Sequence, residues 1–382
     1  MLIITDTAAL AEFCAGLRQH PYVAVDTEFM REKTYFSQLC LIQAASPAEA
    51  AIIDPLADGL DLAPFLEMLA DPAVTKVFHA ARQDVEIFFQ IMQSVPQPLF
   101  DTQIAAMACG YGDQIGYEPL VRTITGKSVD KGSRFTDWSR RPLSDRQLEY
   151  AIGDVTHLRD VYDALSSELA RTDRLPWVME EMEALLSPSL YFVQPENAWK
   201  RLKLRNTKRK ELGPLIKIAE WREAEAQKRD VPRARILKDD ALFELARQTP
   251  ESPQDLARAR GIPNGFERSG AAKGLLGAIT DGKNIPKGDL PDIDRPRNLP
   301  QVPADVLDLL RVLLARQCKE YDVAPKLIAS VADLEEIARD DNADVPAMKG
   351  WRREVFGDAA LKLKHGKLAM KLTNGTLDLI ET

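Results

Sequence analysis

Short apolar runs separated by polar turns fill the first third of the chain, and long helical periodicities replace them further on. Tyr22–Phe29 (YVAVDTEF) has strand length and ends in carboxylates. Leu39–Ala45 and Ala51–Asp54 are two further short runs, near enough in sequence to form an antiparallel meander. Val74–His79 predicts another strand and Ala80–Gln93 a helix after it. Phe100 leads into an expected helix over Asp101–Cys109, with Asp101 near its N-cap. Ser144 then begins a long helix to about Ala170, with Ser144 and Gln147 at capping-box spacing. Leu148, Ile152, Val155, Leu158, Tyr162, Leu165 and Leu169 form its apolar stripe.

From about Pro195 the pattern is helical, with amphipathic stretches over Lys200–Lys228 and Asp239–Arg247 and a tight turn over Gly261–Phe266. Pro286, Pro291, Pro296, Pro300 and Pro303 deny the next segment regular helix. A second helical unit is expected from there to the end. Within it DLEEIAR (333–339) echoes ALFELAR (241–247), as a degenerate repeat would. The expected organisation is an α/β domain over 1–195, an all-α module over 196–285, a Pro-rich linker over 286–303 and a second all-α module over 304–382.

Composition narrows the class. The 382 residues are 45% hydrophobic and 28% charged, enough for a large core without staples. The four cysteines lie far apart with no CxxC pair, and the four histidines have no zinc spacing. Buried reduced thiols and a cytoplasmic location are expected. The N-terminus lacks a basic n-region and Asp6 interrupts its apolar run, so no secretory signal is expected. No stretch is long and apolar enough to span a bilayer. A net charge of −8 argues against a nucleic-acid partner, but charge is unevenly spread. Lys200–Lys238 holds fourteen Lys or Arg against five Asp or Glu, the footprint of phosphate binding. Lys208, Arg209 and Lys210 are consecutive cations within it and candidate phosphate contacts.

The candidate chemistry lies upstream. Asp26 and Glu28 are two apart on a strand and project from one face. Like charges held that close are costly unless a cation sits between them. Asp84 stands in the first turn of the following helix, where the helix dipole alone would favour it. Tyr150 and Asp154 are four apart, on a helix face off the centre of the stripe, and so can look into a cleft. Four carboxylates from several segments suit two divalent cations, which can hold both the attacking and the leaving oxygen of a phosphodiester. Tyr150, with an ordinary pKa near 10, would orient the attacking water rather than ionise. His79, at a strand end, is placed to line the cleft and touch the substrate backbone. Asp101 is assigned to helix capping and Asp137 to a loop.

Four runs carry a resemblance: DTEFMREKTYFSQLCLIQ (26–43), HAARQD (79–84), FDTQIAA (100–106) and DKGSRFTDWSRRPLSDRQLEYAIGDV (130–155). In this order they resemble the ribonuclease D family of the DEDD exonuclease superfamily, in the subgroup with tyrosine in the last motif. The helical C-terminal pair is similar to HRDC modules. The resemblance implies a ribonuclease-H-like fold and dependence on two Mg²⁺ or Mn²⁺ ions. It also implies 3′→5′ trimming of structured RNA precursors, transfer RNA above all, with release of nucleoside 5′-monophosphates. Position by position it implies that Asp26, Glu28, Asp84 and Asp154 are metal ligands and that Tyr150 orients water. Phe29 and Gln38 match positions beside the terminal nucleotide, where Phe29 would stack on the base. Lys131 and Trp138 fall in the matching loop before the last motif. Departures are Ser37, where proline is usual, and Ile152-Gly153 inside the last motif. A 3′→5′ DNA exonuclease would carry the same ligands, because 2′-OH recognition lies outside the metal shell. A non-catalytic RNA-binding adaptor fits the intact acids poorly, and a carboxylate glycosidase or acyl hydrolase leaves the basic segment unexplained.

Overall fold

The computed structural model describes residues 1–129, 132, 136–204, 207–292 and 301–382. Its N-terminal part is built on six strands: β1 (Leu2–Ile4), β2 (Tyr22–Met30), β3 (Gln38–Ala45), β4 (Ala50–Ile53), β5 (Thr75–Phe78) and β6 (Leu99–Asp101). They lie in the order β1-β4-β3-β2-β5-β6. The expected meander is present: β2, β3 and β4 pair antiparallel, while β1 runs parallel to β4, β5 to β2 and β6 to β5. The registers matter for the site. β2 pairs with β5 only through Ala24↔Val77 and then continues alone on that side. Asp26 and Glu28 therefore project past the point where the chain leaves β5 and turns into the next helix.

Seven helices surround the sheet: α1 (Thr7–Leu17), α2 (Ala63–Ala70), α3 (Arg82–Met92), α4 (Thr102–Ala108), α5 (Tyr117–Thr125), α6 (Asp145–Arg171) and α7 (Leu175–Leu185). α6 starts at a complete Ser144–Gln147 capping box, as the spacing predicts. Its stripe of Ala151, Val155, Leu158, Val161 and Leu165, each at most 1% exposed, packs across β2, β3 and β4. This places residues 150 and 154 at the end of β2.

A helical unit follows: α8 (Arg209–Arg229), α9 (Arg233–Ile236), α10 (Asp239–Gln248), α11 (Pro253–Arg258) and α12 (Gly270–Lys283). The helix expected from Lys200 begins only at Arg209. The chain over Pro195–Arg201 is 3-10, and extended Lys208 is the N-cap, its N–H held by the Glu211 carboxylate at 3.3 Å. α8 and α12 touch backbone to backbone: a Cβ on Gly213 would stand 2.3 Å from the Gly282 carbonyl oxygen. The unit has its own core, including Leu215, Ile218, Leu242, Leu245 and Leu275.

The last part comprises α13 (Ala304–Tyr321), α14 (Pro325–Ile328), α15 (Val331–Arg339), α16 (Gly350–Arg352) and α17 (Asp358–Lys364), with a π-helical turn over Arg353–Gly357. Its element order repeats that of the first unit. α8 and α13 both end at a left-handed aspartate, Asp230 (φ 48°) and Asp322 (φ 49°), each before a four-residue helix. The echoing heptapeptides fall on α10 and α15. One expectation is corrected: this part is not all helical. Leu368–Thr373 and Thr376–Glu381 form an antiparallel hairpin, β7–β8. Asn374 and Gly375 between them have φ of 51° and 80°, the pair of positive values that a two-residue hairpin turn needs. Leu310, Leu313, Ile337 and Phe356 belong to the same apolar cluster as Val85 and Leu158, so this part is fused to the α/β core. Trp351 stacks on Trp177 of α7 with centroids 4.2 Å apart.

Candidate active site

A cleft of about 1150 Å³ opens at the end of β2. Asp26, Glu28, Phe29, Gln38, His79, Asp84, Trp138, Tyr150 and Asp154 all line it. Asp26 and Glu28 stand opposite Gln43 and Leu41 of β3, and a bulge follows Glu28. Carboxylate oxygens of Asp26, Glu28 and Asp154 lie within 4.8 Å of one another. Asp84, in the first turn of α3, lines the same cleft but stands outside that group of three; it is buried, and its Oδ1 accepts a hydrogen bond from Thr27 Oγ1 at 2.5 Å. Burial, and after it the charge of Asp154, holds the Asp26 carboxyl well above its ordinary pKa. Burial and then Asp26 do the same for Asp84. An all-oxygen, like-charged donor set of this kind fits a hard divalent cation, which would remove the repulsion that now favours protonation.

Tyr150 lies beside Trp138, with ring centroids 6.1 Å apart. Trp138 is 2% exposed and belongs to a small apolar cluster with Cys40, Leu41, Ile52, Leu148 and Ala151. At that burial it offers little surface to a ligand. Lys131 lies outside the described residues.

His79 is fixed through Thr102. The Thr102 hydroxyl donates to the Phe78 carbonyl at 3.0 Å, so His79 Nδ1–H must be the donor in the 3.0 Å contact with Thr102 Oγ1. Burial lowers the His79 pKa to about 4, and the ring is neutral. Asp101 accepts from the N–H groups of Ala80 (2.9 Å), Ala81 (2.9 Å) and Gln103 (2.8 Å). It thereby caps α4 and clamps the turn in which Ala80 has φ 58°. Asp137 is a half-buried cleft-wall residue bonded to Ser139 and Arg140, and Ser139 first among these lowers its pKa.

Two residues of the site escape sequence reasoning. Thr27 sits between two candidate ligands yet serves a third, Asp84. Tyr117, at the start of α5, donates to the Asp154 main-chain carbonyl at 2.5 Å. Burial, then Asp154 and Asp26, holds the Tyr117 hydroxyl well above its ordinary pKa, so it remains a donor. Nothing in either local sequence signals these contacts.

The basic segment is partly neutralised. Arg209 bonds Asp292 (3.2 Å) and the carbonyls of Lys287 (2.9 Å) and Leu290 (3.3 Å), which makes it a brace within its own unit. Lys217, Arg222, Arg229 and Arg233 also pair with acids. The side chains of Lys208 and Lys210 are exposed, and their ammonium groups have no acidic partner among the described residues.

Residues 1–170 match the 3′-5′ exonuclease family model, and residues 213–277 match the HRDC domain model. The ribonuclease D of Nitrobacter hamburgensis is 51% identical over 381 residues, covering 100% of both chains. That of Jannaschia sp. is 49% identical over 382 residues, with 99% of each chain covered. Among solved structures, Escherichia coli RNase D, an exoribonuclease involved in structured RNA processing, matches with a TM-score of 0.79 at 30% identity. That match covers 95% of this chain and 98% of the other.

Proposed function

The chain belongs to the ribonuclease D family of 3′→5′ exoribonucleases, and from that premise we propose that it trims structured RNA precursors, transfer RNA above all, at a two-cation site. The observation that carries this is the convergence of Asp26, Glu28 and Asp154, with oxygens within 4.8 Å, beside buried Asp84. These four residues are assigned as holders of two Mg²⁺ or Mn²⁺ ions. Such ions supply a strongly activated water and neutralise charge on the leaving 3′ oxygen. Tyr150, beside Trp138, orients that water with its hydroxyl. Tyr117 and Thr27 hold Asp154 and Asp84 in place. Phe29 offers its ring to the terminal base, while Gln38 and neutral His79 shape the walls around the terminal sugar and phosphate. The products are nucleoside 5′-monophosphates.

Residues 1–195 are assigned as the catalytic domain. Residues 196–285 and 304–382 are assigned as two HRDC-like modules joined by 286–303, a reading supported by their shared element order. Lys208 and Lys210 are assigned to RNA retention. No helix among the described residues is long and apolar enough to cross a membrane, and all four thiols are free and buried, which suits a cytoplasmic enzyme.

The test compares wild type and Asp26→Ala on a 3′-extended transfer RNA precursor and on a matched single-stranded DNA, with Mg²⁺ and with EDTA. Mg²⁺-dependent release of 5′-mononucleotides from the RNA, absent in the variant, is expected. Faster loss of the DNA would transfer the assignment to a DNA exonuclease. Tight RNA binding without shortening would replace it with an adaptor.

A further inference from the structure

A second cavity, of about 350 Å³, adjoins the cleft and shares Arg31 and Gln83 with it as a common wall. It lies where the α/β domain meets the first helical unit. Residues of α3, the 190–193 segment, Tyr35 and Phe36 line it together with Arg201 and Arg233 of the first helical unit. Four arginines line it, Arg31, Arg82, Arg201 and Arg233, against one acid, Glu86. Arg31 is held by Glu86 in a two-pronged contact at 2.8 and 3.2 Å. Arg233 is held by Glu223 and by the Tyr35 hydroxyl. Arg82 and Arg201 are exposed and have neither hydrogen-bond nor ion-pair partner among the described residues. Phe36 and Phe192, both half-buried, present ring surface to the same space.

We infer that this cavity is a subsite for single-stranded RNA upstream of the 3′-terminal nucleotide, in which Arg82 and Arg201 pair with backbone phosphates and Phe36 and Phe192 support bases. The inference rests on the exonuclease reading of the cleft, because it takes the 3′ end to lie there. Arginine with aromatic surface is the composition that holds a single strand without reading its sequence: guanidinium forks match phosphate, and every base has a face to stack. Continuity through Arg31 and Gln83 gives the strand a path, since nucleotides leaving the cleft on that side enter the cavity directly. Net positive charge also separates this space from the acidic cleft, where substrate is attacked rather than retained. The subsite assigns the first helical unit a task beyond non-specific attraction, because it closes one wall of the channel.

The experiment measures kcat/KM with Mg²⁺ on a dinucleotide and on a single-stranded RNA of about ten nucleotides, for wild type and R82Q/R201Q. The ratio of the longer to the shorter substrate is expected to fall about tenfold in the variant. The log–log salt dependence of the longer substrate should become shallower by about 1.4, from roughly 0.7 per phosphate contact on a single strand. R82K/R201K should recover most of the ratio. R201Q alone, remote from the carboxylates, should lower it about threefold and serves if the double variant melts early. Parallel losses on both substrates, or none on either, would overturn the subsite. If wild type degrades neither RNA, the exonuclease reading fails instead, before the variants are compared.

Discussion

The carboxylate cluster of Asp26, Glu28 and Asp154, with Asp84 in the same cleft, contrasts with the clasp at Tyr35 and Phe36 that fastens the first helical unit. Both place charge in poorly hydrated surroundings. In the clasp, Glu223, 1% exposed, is matched by Arg233, and Tyr35 donates its hydroxyl to Glu223 while accepting from Arg233 (2.8 Å) and Gln227 (3.2 Å). The Asp230 carboxylate receives the N–H groups of Tyr35 and Phe36, each at 3.0 Å. The Arg233 guanidinium also lies 4.7 Å from the centroid of the Tyr35 ring. Among the cleft carboxylates, burial with mutual repulsion raises Asp26 and Asp84. A compensated cluster stabilises an interface. A group of like-charged carboxylates carries a cost in stability, which a bound cation would offset.

The largest test of this contrast is Asp26→Asn. Turnover should fall about 10³-fold or more, reflecting the several kcal/mol a bound cation contributes. In EDTA at neutral pH the same variant should melt higher than wild type. The sign follows from the raised pKa of Asp26. The unfolded chain ionises first, so folded-state stability is lost as pH rises from the ordinary value of 3.8 through the folded one. Asparagine does not ionise and escapes that loss. A lower melting point for the variant in EDTA would mean that the Asp26 carboxyl is stabilised, not strained, by its surroundings.

Glu223→Ala should act in the opposite direction, costing roughly 3 kcal/mol in urea denaturation. That is the lower part of the range for stranding a buried partner, because the Arg233 side chain keeps 32% of its exposure. Adding Mg²⁺ at about a hundred times its Kd should stabilise wild type by roughly 2.7 kcal/mol. The gain should survive in Glu223→Ala and vanish in Asp26→Asn, and equal gains in all three would dissolve the distinction. Tyr35→Phe, which leaves Glu223 and Arg233 paired, should cost about 1 kcal/mol, read from the same denaturation curves.

Local signals were legible where partners lie within one turn or one pleat. The alternation of Asp26 and Glu28, the Ser144–Gln147 box and both ends of the following helix to within one residue are of this kind. The terminal hairpin was legible too, in Asn374-Gly375, but the helical periodicity before it carried the reading past that signal. The supports of the site were not legible. Thr27 and Asp84 are 57 residues apart, Tyr117 and Asp154 are 37, and Tyr35 and Glu223 are 188. Arg209 looked like a free cation because Asp292, Lys287 and Leu290, which hold it, are distant in sequence.

The sequence by itself determined which side chains share a face and which helices begin where. These follow from the two-residue pleat, the helical turn and capping, all decided by near neighbours. Only the tertiary structure decided that Asp26, Glu28 and Asp154 meet, that Trp138 is buried beside Tyr150, and that arginines from α3 and from residues 201 and 233 line one cavity. Meeting depends on strand order and register: β2 runs on past its last pairing with β5, so the turn into α3 and the middle of α6 close on its end. A contact between segments that loop closure brings together leaves no periodic trace in either segment, which is why the chain names its chemistry more plainly than its architecture.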